Sequence, residues 1–215
     1  MWIHRTLKSL KMDKNKNKVV LVIEAGHRKN TPGKCSPDGV FKEWEWNEDC
    51  KNIIIRTLAA HGWRVFDATP KGDDDSLASR VQTVNRICSE HGRDNVIYIS
   101  VHCNASGSGE SWMKARRWSV WTSRGNTKSD DLAECLYEAA YAKWGINAVR
   151  SDLSDGDHDY ESDFYVLKKS ACTACLIENF FYDNKDDLEY LLSPQSIYDC
   201  AEVAVSGLEK YIETL

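Results

Sequence analysis

At 215 residues, with 42% hydrophobic and 28% charged side chains, the chain has the balance of a soluble globular protein. Its length suffices to bury roughly 70% of the unfolded surface in one core. A formal charge of −5 argues against a nucleic-acid partner, and no apolar run reaches the length that crosses a bilayer, so stable membrane insertion is not expected.

Residues 1–18, "MWIHRTLKSLKMDKNKNK", are basic and read as a disordered leader. They lack the apolar segment and small-residue cleavage site of a signal peptide, so synthesis in the cytoplasm is expected. Val19, Val20, Leu21, Val22 and Ile23 then form a buried strand that runs through Gly26 into His27. After a loop rich in glycine and proline, "EWEWNEDCKNIIIRTLAAHG" places Trp46, Cys50, Ile53, Ile54 and Leu58 at helical spacing. "WRVFDA" is a strand, "SLASRVQTVNRICSEHG" a helix, and "NVIYISVHCNAS" a long apolar strand that again ends on a histidine. "WSVWTS" is a strand, and "TKSDDLAECLYEAAYAKWG" is a helix opened by a hydroxyl cap. "DFYVLKKS" and "ACLIENFF" read as strands, and "NKDDLEYLLS" and "PQSIYDCAEVAVSGLEKYIETL" as closing helices, the latter with Pro194 at its start.

Strands separated by helices predict a single α/β domain over residues 19–215, with a mainly parallel or mixed twisted sheet flanked by helices on both faces. In such a sheet, strand ends at the carboxyl edge are where ligands bind. One histidine there is satisfied by loop backbone, but His27 and His102 at two strand ends suggest a shared cation. Glu43 at the following helix start is the third ligand candidate, with Glu45 competing for that role. Glu178, in "CLIENFF", brings a carboxylate to the end of another apolar strand, where it must be paired, exposed in a cleft, or used.

These segments, "EAGH", "DGVFKEWEWN", "SVHCNAS" and "LIENFF", stand in the order found in the zinc-dependent N-acetylmuramoyl-L-alanine amidases of the Amidase_3 kind, and the chain resembles that family. The family occurs in bacterial cell-wall hydrolases and phage endolysins. The resemblance implies that His27, Glu43 and His102 hold Zn2+ and that Glu178 is the catalytic glutamate. It also implies that peptidoglycan is the substrate, cut between N-acetylmuramic acid and L-alanine by zinc-activated water. It further implies action at the bacterial cell wall, reached by phage-type release. Two departures concern the entrance: Glu24 stands where the family has aspartate, and Arg28 and Lys29 replace a glycine pair. The rival readings are a zinc hydrolase acting on another amide or peptide and a non-catalytic wall-binding domain. A binding domain has no need of a general base such as Glu178.

Other features carry weaker signals. His61 and His91 precede glycines at helix ends and suit helix termini rather than metal. Without a secretion signal the eight cysteines suggest a reducing cytoplasm. Cys172 and Cys175 have the C-x-x-C spacing of a redox or half-zinc pair but lack a second pair, and read rather as small buried cysteines of a strand. Trp112, Arg116 and Arg117 could meet sugar rings or stem-peptide carboxylates, or form an ordinary surface loop. "SDLSDGDHDYESD" lacks the order of a calcium loop and reads as a solvated acidic loop, with a lid over the site and a stray ligand in His158 as lesser readings. Arg80 could orient Glu43 or another acid, with a surface salt bridge as the simpler reading.

Overall fold

The apolar run at Val19–Ile23 is hydrophobic at every position because both faces of its strand are covered. The computed structural model describes residues 15–69 and 76–215. Its strands are β1 (Val20–Ala25), β2 (Arg64–Asp67), β3 (Val96–Asn104), β4 (Ser119–Thr122), β5 (Tyr160–Glu161) and β6 (Thr173–Phe181). They form one six-stranded sheet in the order β2-β1-β3-β6-β4-β5. The pairs β1–β2, β1–β3 and β3–β6 are parallel, whereas β4 runs antiparallel to β6. The sheet is therefore mixed, and its parallel half carries the carboxyl ends of β1, β3 and β6 to one edge.

The described helices are α1 (Glu43–Ala60), α2 (Leu77–His91), α3 (Lys128–Trp144), α4 (Tyr165–Lys169), α5 (Lys185–Leu191) and α6 (Pro194–Thr214). Strand alternation divides the core between the two faces. Leu21 and Ile23 of β1, with Ile97, Ile99 and Val101 of β3, pack against α1, α3 and α6. Val20 and Val22, with Val96 and Tyr98, pack against Val81, Val84 and Ile87 of α2 and against α4. On the first face α3 and α6 approach closely at Gly207, where an added Cβ would lie 2.8 Å from the Leu136 Cα. No helix among the described residues is long and apolar enough to cross a membrane.

Segment "DFYVLKKS" departs from the predicted strand: residues Tyr165–Lys169 are helical. Val166 and Leu167 are adjacent in sequence yet both are buried in the same cluster, which a strand would send to opposite faces. Asn85 of α2 fixes the exit of this helix, donating to the Lys169 carbonyl at 3.0 Å and accepting from the Ala171 amide at 2.8 Å. The edge strand β5 lies just before it, in the segment read as an acidic loop. Within the region read as a leader, residues 15–18 form a helical turn, and Asn15 donates to the Ile212 carbonyl at 2.9 Å. The rest of that leader, residues 1–14, lies outside the described residues.

Candidate metal centre

Three elements deliver the three candidate ligands. β1 ends at Ala25, and the Gly26 amide makes the last bond toward β3, donating to the Val101 carbonyl at 2.8 Å. His27 then turns out of the sheet with φ of +62°, a left-handed conformation that costs a non-glycine residue of order 1–3 kcal/mol. Gly26 has no freedom to be anything larger, because a Cβ there would lie 2.1 Å from Cε1 of the His102 ring. His102 stands near the end of β3, its ring edge-on to His27 with centroids 5.0 Å apart.

Glu43 is the first residue of α1 and is buried, at 1% exposure. Its amide donates to the Lys34 carbonyl at 3.0 Å, which ties the helix start to the preceding loop. Glu43 Oε1 lies 3.4 Å from His27 Nε2 and 3.3 Å from His102 Nδ1, and accepts from the Cys103 amide at 3.2 Å. One donor atom from each of His27, Glu43 and His102 lies within 4.8 Å of the others, a spacing able to hold a metal ion. Glu45, the competing acid, lies outside this group. The second carboxylate oxygen, Glu43 Oε2, is buried without a hydrogen-bond partner. A bare oxygen of this kind beside two imidazoles is the donor set a divalent zinc ion takes.

Glu178 arrives from β6. It pairs with His102 across the parallel ladder, so the two side chains leave the same face of the sheet. Immediately beyond, β6 holds one more residue than β3 between Glu178↔His102 and Phe181↔Asn104, a bulge absorbed by Phe180 at φ of +64°. Glu178 Oε2 is also buried without a partner.

The electrostatics follow from burial around opposed charges. Burial drives the His27 imidazole down to about 3, against the pull of Glu43, so it is neutral at ordinary pH. Burial also opposes charge on His102, but Glu43, Glu178 and Glu24 outweigh it and raise the group above the ordinary histidine range. Burial works against the Glu43 carboxylate, yet His102 and His27 hold it below its ordinary value. Burial pushes the Glu178 carboxyl up to about 8, with His102 opposing and Glu43 reinforcing.

Two asparagines support this arrangement without having stood out as functional in the sequence. Asn47, one turn after Glu43, donates to the Gly26 carbonyl at 3.1 Å and reaches Glu43 Oε1 at 3.4 Å. Asn179 donates to the His102 carbonyl at 2.9 Å and accepts from the Trp118 indole at 3.1 Å. The i,i+4 spacing of Glu43 and Asn47 is a legible signal of the first. Asn179 follows Glu178 in the quoted segment "LIENFF", but no local spacing reveals its partner, which comes from a different strand.

The remaining candidates lie elsewhere. His61 pairs with Glu209 at 2.8 Å at the end of α1, and His91 closes α2. Arg80 does not touch Glu43 but pairs with the other acid, Glu24. Cys175 is buried in one core cluster and Cys172 packs against the other, so the C-x-x-C spacing sends its thiols to opposite faces. Arg116 pairs with Asp186 at 2.8 Å, the Arg117 amide donates to Asp187 at 2.6 Å, and Lys185 sits 5.4 Å over the Trp112 ring. The acidic segment lines a hollow of about 770 Å³ with residues of the α3 start, and there His158 pairs with Glu134 at 2.8 Å. Because β4 runs antiparallel to β6, that hollow, beside the start of the helix that follows β4, lies toward the other edge of the sheet from the candidate centre.

Solved structures share this architecture. An N-acetylmuramoyl-L-alanine amidase from Clostridium difficile 630 superposes with a TM-score of 0.76 at 20% identity, over 92% of this chain and 98% of that one. The CwlD amidase from Clostridioides difficile, solved in complex with the GerS lipoprotein, gives 0.74 at 18% identity over 92% and 100%. The catalytic domain of an endolysin targeting Clostridia difficile gives 0.60 at 21% identity over 88% and 96%. No curated protein matches the sequence at a significant level. The Amidase_3 family model, described as N-acetylmuramoyl-L-alanine amidase, matches residues 21–210, which takes in every strand but the first residue of β1 and all six helices but the last turn of α6. The chain belongs to the N-acetylmuramoyl-L-alanine amidase family.

Proposed function

We propose that this chain is a zinc-dependent amidase of peptidoglycan, cutting the amide between the lactyl group of N-acetylmuramic acid and L-alanine at the bacterial cell wall. The observation that carries the reading is the convergence of His27, Glu43 and His102 within 4.8 Å, with Glu178 on the neighbouring strand. His27 and His102 would supply neutral nitrogens, and Glu43 a carboxylate oxygen, which leaves an open position of the catalytic type. Zinc bound there supplies Lewis-acid chemistry, making water a nucleophile near neutral pH and polarising the amide carbonyl.

Glu178 does the proton work in this reading. Burial raises its carboxyl to about 8 in the metal-free site, and the positive charge of a bound zinc ion would favour the ionised form, a base strong enough to take a proton from the attacking water. The same carboxylic acid then returns that proton to the departing L-alanine amine, which leaves as a neutral amine rather than an amide anion. Asn47 and Asn179 hold the backbone of Gly26 and His102, and so keep the two histidines in place.

A digest of purified peptidoglycan, with and without chelator, tests the proposal by mass analysis of the soluble products. Stem peptides with a free L-alanine amine, lost on chelation and restored by zinc, are expected. Fragments cut within the peptide would replace the proposal with a peptidase, and no release from folded, zinc-loaded protein would overturn catalysis altogether.

A further inference from the structure

Arg80 of α2 lies against the turn that carries His27. Its Nη1 donates to the Glu24 carboxylate and, at 3.0 Å, to the Ala25 carbonyl, while Nη2 donates to the His27 carbonyl at 3.2 Å. Arg80 and Glu24 are both buried, at 3% and 0% exposure. A guanidinium and a carboxylate that serve only each other close as a two-bonded pair. Here the second nitrogen turns to His27 instead, and Glu24 Oε2 is left without a partner.

The place of that bond matters. The β1–β3 ladder ends at Ala25↔Val101, and with φ of +62° the His27 carbonyl has left the sheet. Arg80 supplies this carbonyl with a donor from α2, which packs on the sheet face that Val20 and Val22 share with Glu24. The side chain of His27 reaches Glu43 on α1. We propose that the Arg80–Glu24 pair is a positioning device for His27, holding its left-handed backbone so that the imidazole is presented to the metal. The inference rests on His27 being a ligand, as proposed above. Glu24 anchors the guanidinium and orients it; the rigid fork spans Ala25 and His27, which a single ammonium group does not reproduce.

Arg80→Lys keeps the charge opposite Glu24 and removes the fork. Its zinc dissociation constant, measured by competition with a chromophoric chelator on protein shown to melt cooperatively, is expected to rise about 10- to 100-fold over wild type. The cobalt-substituted protein should change its visible absorption, because one nitrogen ligand is no longer held at its angle. The double variant Glu24→Gln/Arg80→Met removes both charges of the pair together, so Glu24 is not left as a buried unpaired carboxylate, and should show the same loss. In a His27→Ala background, Arg80→Lys should cost nothing further, since the two act through one ligand. Wild-type protein that binds no zinc would overturn the functional reading itself. Wild-type protein that binds zinc, with Arg80→Lys and the double variant unchanged in affinity and cobalt spectrum, would overturn the positioning role alone. An equal cost of Arg80→Lys with and without His27 would also overturn it, as the mark of a merely structural ion pair.

Discussion

His27 and Gly26 show how tightly backbone and side chain are coupled at the candidate centre. Gly26 leaves room for the His102 ring, and His27 accepts a left-handed backbone so that its own ring can face Glu43. Gly26→Ala should therefore displace the His102 imidazole and weaken zinc binding by at least about tenfold, which a chelator competition would show. Glu178 is expected to behave differently. Glu178→Gln keeps the ligands, so zinc should remain bound while turnover falls about 10²- to 10⁴-fold in a peptidoglycan assay. Stability should move the other way. In the metal-free protein the carboxyl is raised from its ordinary 4.5 to about 8, so its contribution is fully present below 4.5 and is lost as pH rises through 8. Thermal melts of the metal-free protein should show that loss, and Glu178→Gln should flatten it. The positions proposed as ligands and general base were readable as candidates in the sequence, because His27, Glu43 and His102 stand at or near element ends and Glu178 in the later part of an apolar strand. The partner of Arg80 was not, since the contact between α2 and β1 joins positions 56 residues apart and no local spacing announces it.

Local chemistry sets most of the element boundaries. Thr127 caps α3, accepting from the Ser129 amide at 3.1 Å while Asp130 reaches back to the Thr127 amide at 2.6 Å. This reciprocal box is readable from the sequence as a hydroxyl followed three residues later by an acid. Thr127→Ala should cost about 1 kcal/mol and lower the melting temperature by roughly 2–4 °C, with zinc affinity unchanged because α3 contributes no ligand. Helix α4 was illegible for the converse reason. It is short, and its apolar residues fit a strand until one sees that Val166 and Leu167 share one cluster under α2. Tertiary packing decided that segment, as it often does for short elements.

At the scale of the molecule, the sheet separates two chemistries. The parallel strands β1, β3 and β6 bring His27, His102 and Glu178 to one edge, where α1 adds Glu43. The antiparallel turn to β4 places the acidic hollow at the other edge. The alternation of strands and helices made this layout legible in outline. The reversal at β4 was left open between parallel and mixed, because no strand pattern reveals its own neighbour. The charge balance of the centre sets its pH behaviour. His27 is held neutral by burial, whereas His102 is raised by its acidic neighbours and protonates more readily than His27. Zinc affinity should therefore weaken as falling pH protonates His102, with protons displaced on binding, which titration calorimetry in buffers of different ionisation enthalpy can count.

The central claim is that one zinc ion sits among three residues delivered by three elements. The most direct measurement is anomalous X-ray diffraction at the zinc absorption edge from crystals of the zinc-loaded protein. A single strong anomalous peak within bonding distance of His27, Glu43 and His102 is the predicted result. A zinc-loaded crystal with no peak at that position, or with its ion bound by other residues, would contradict the account.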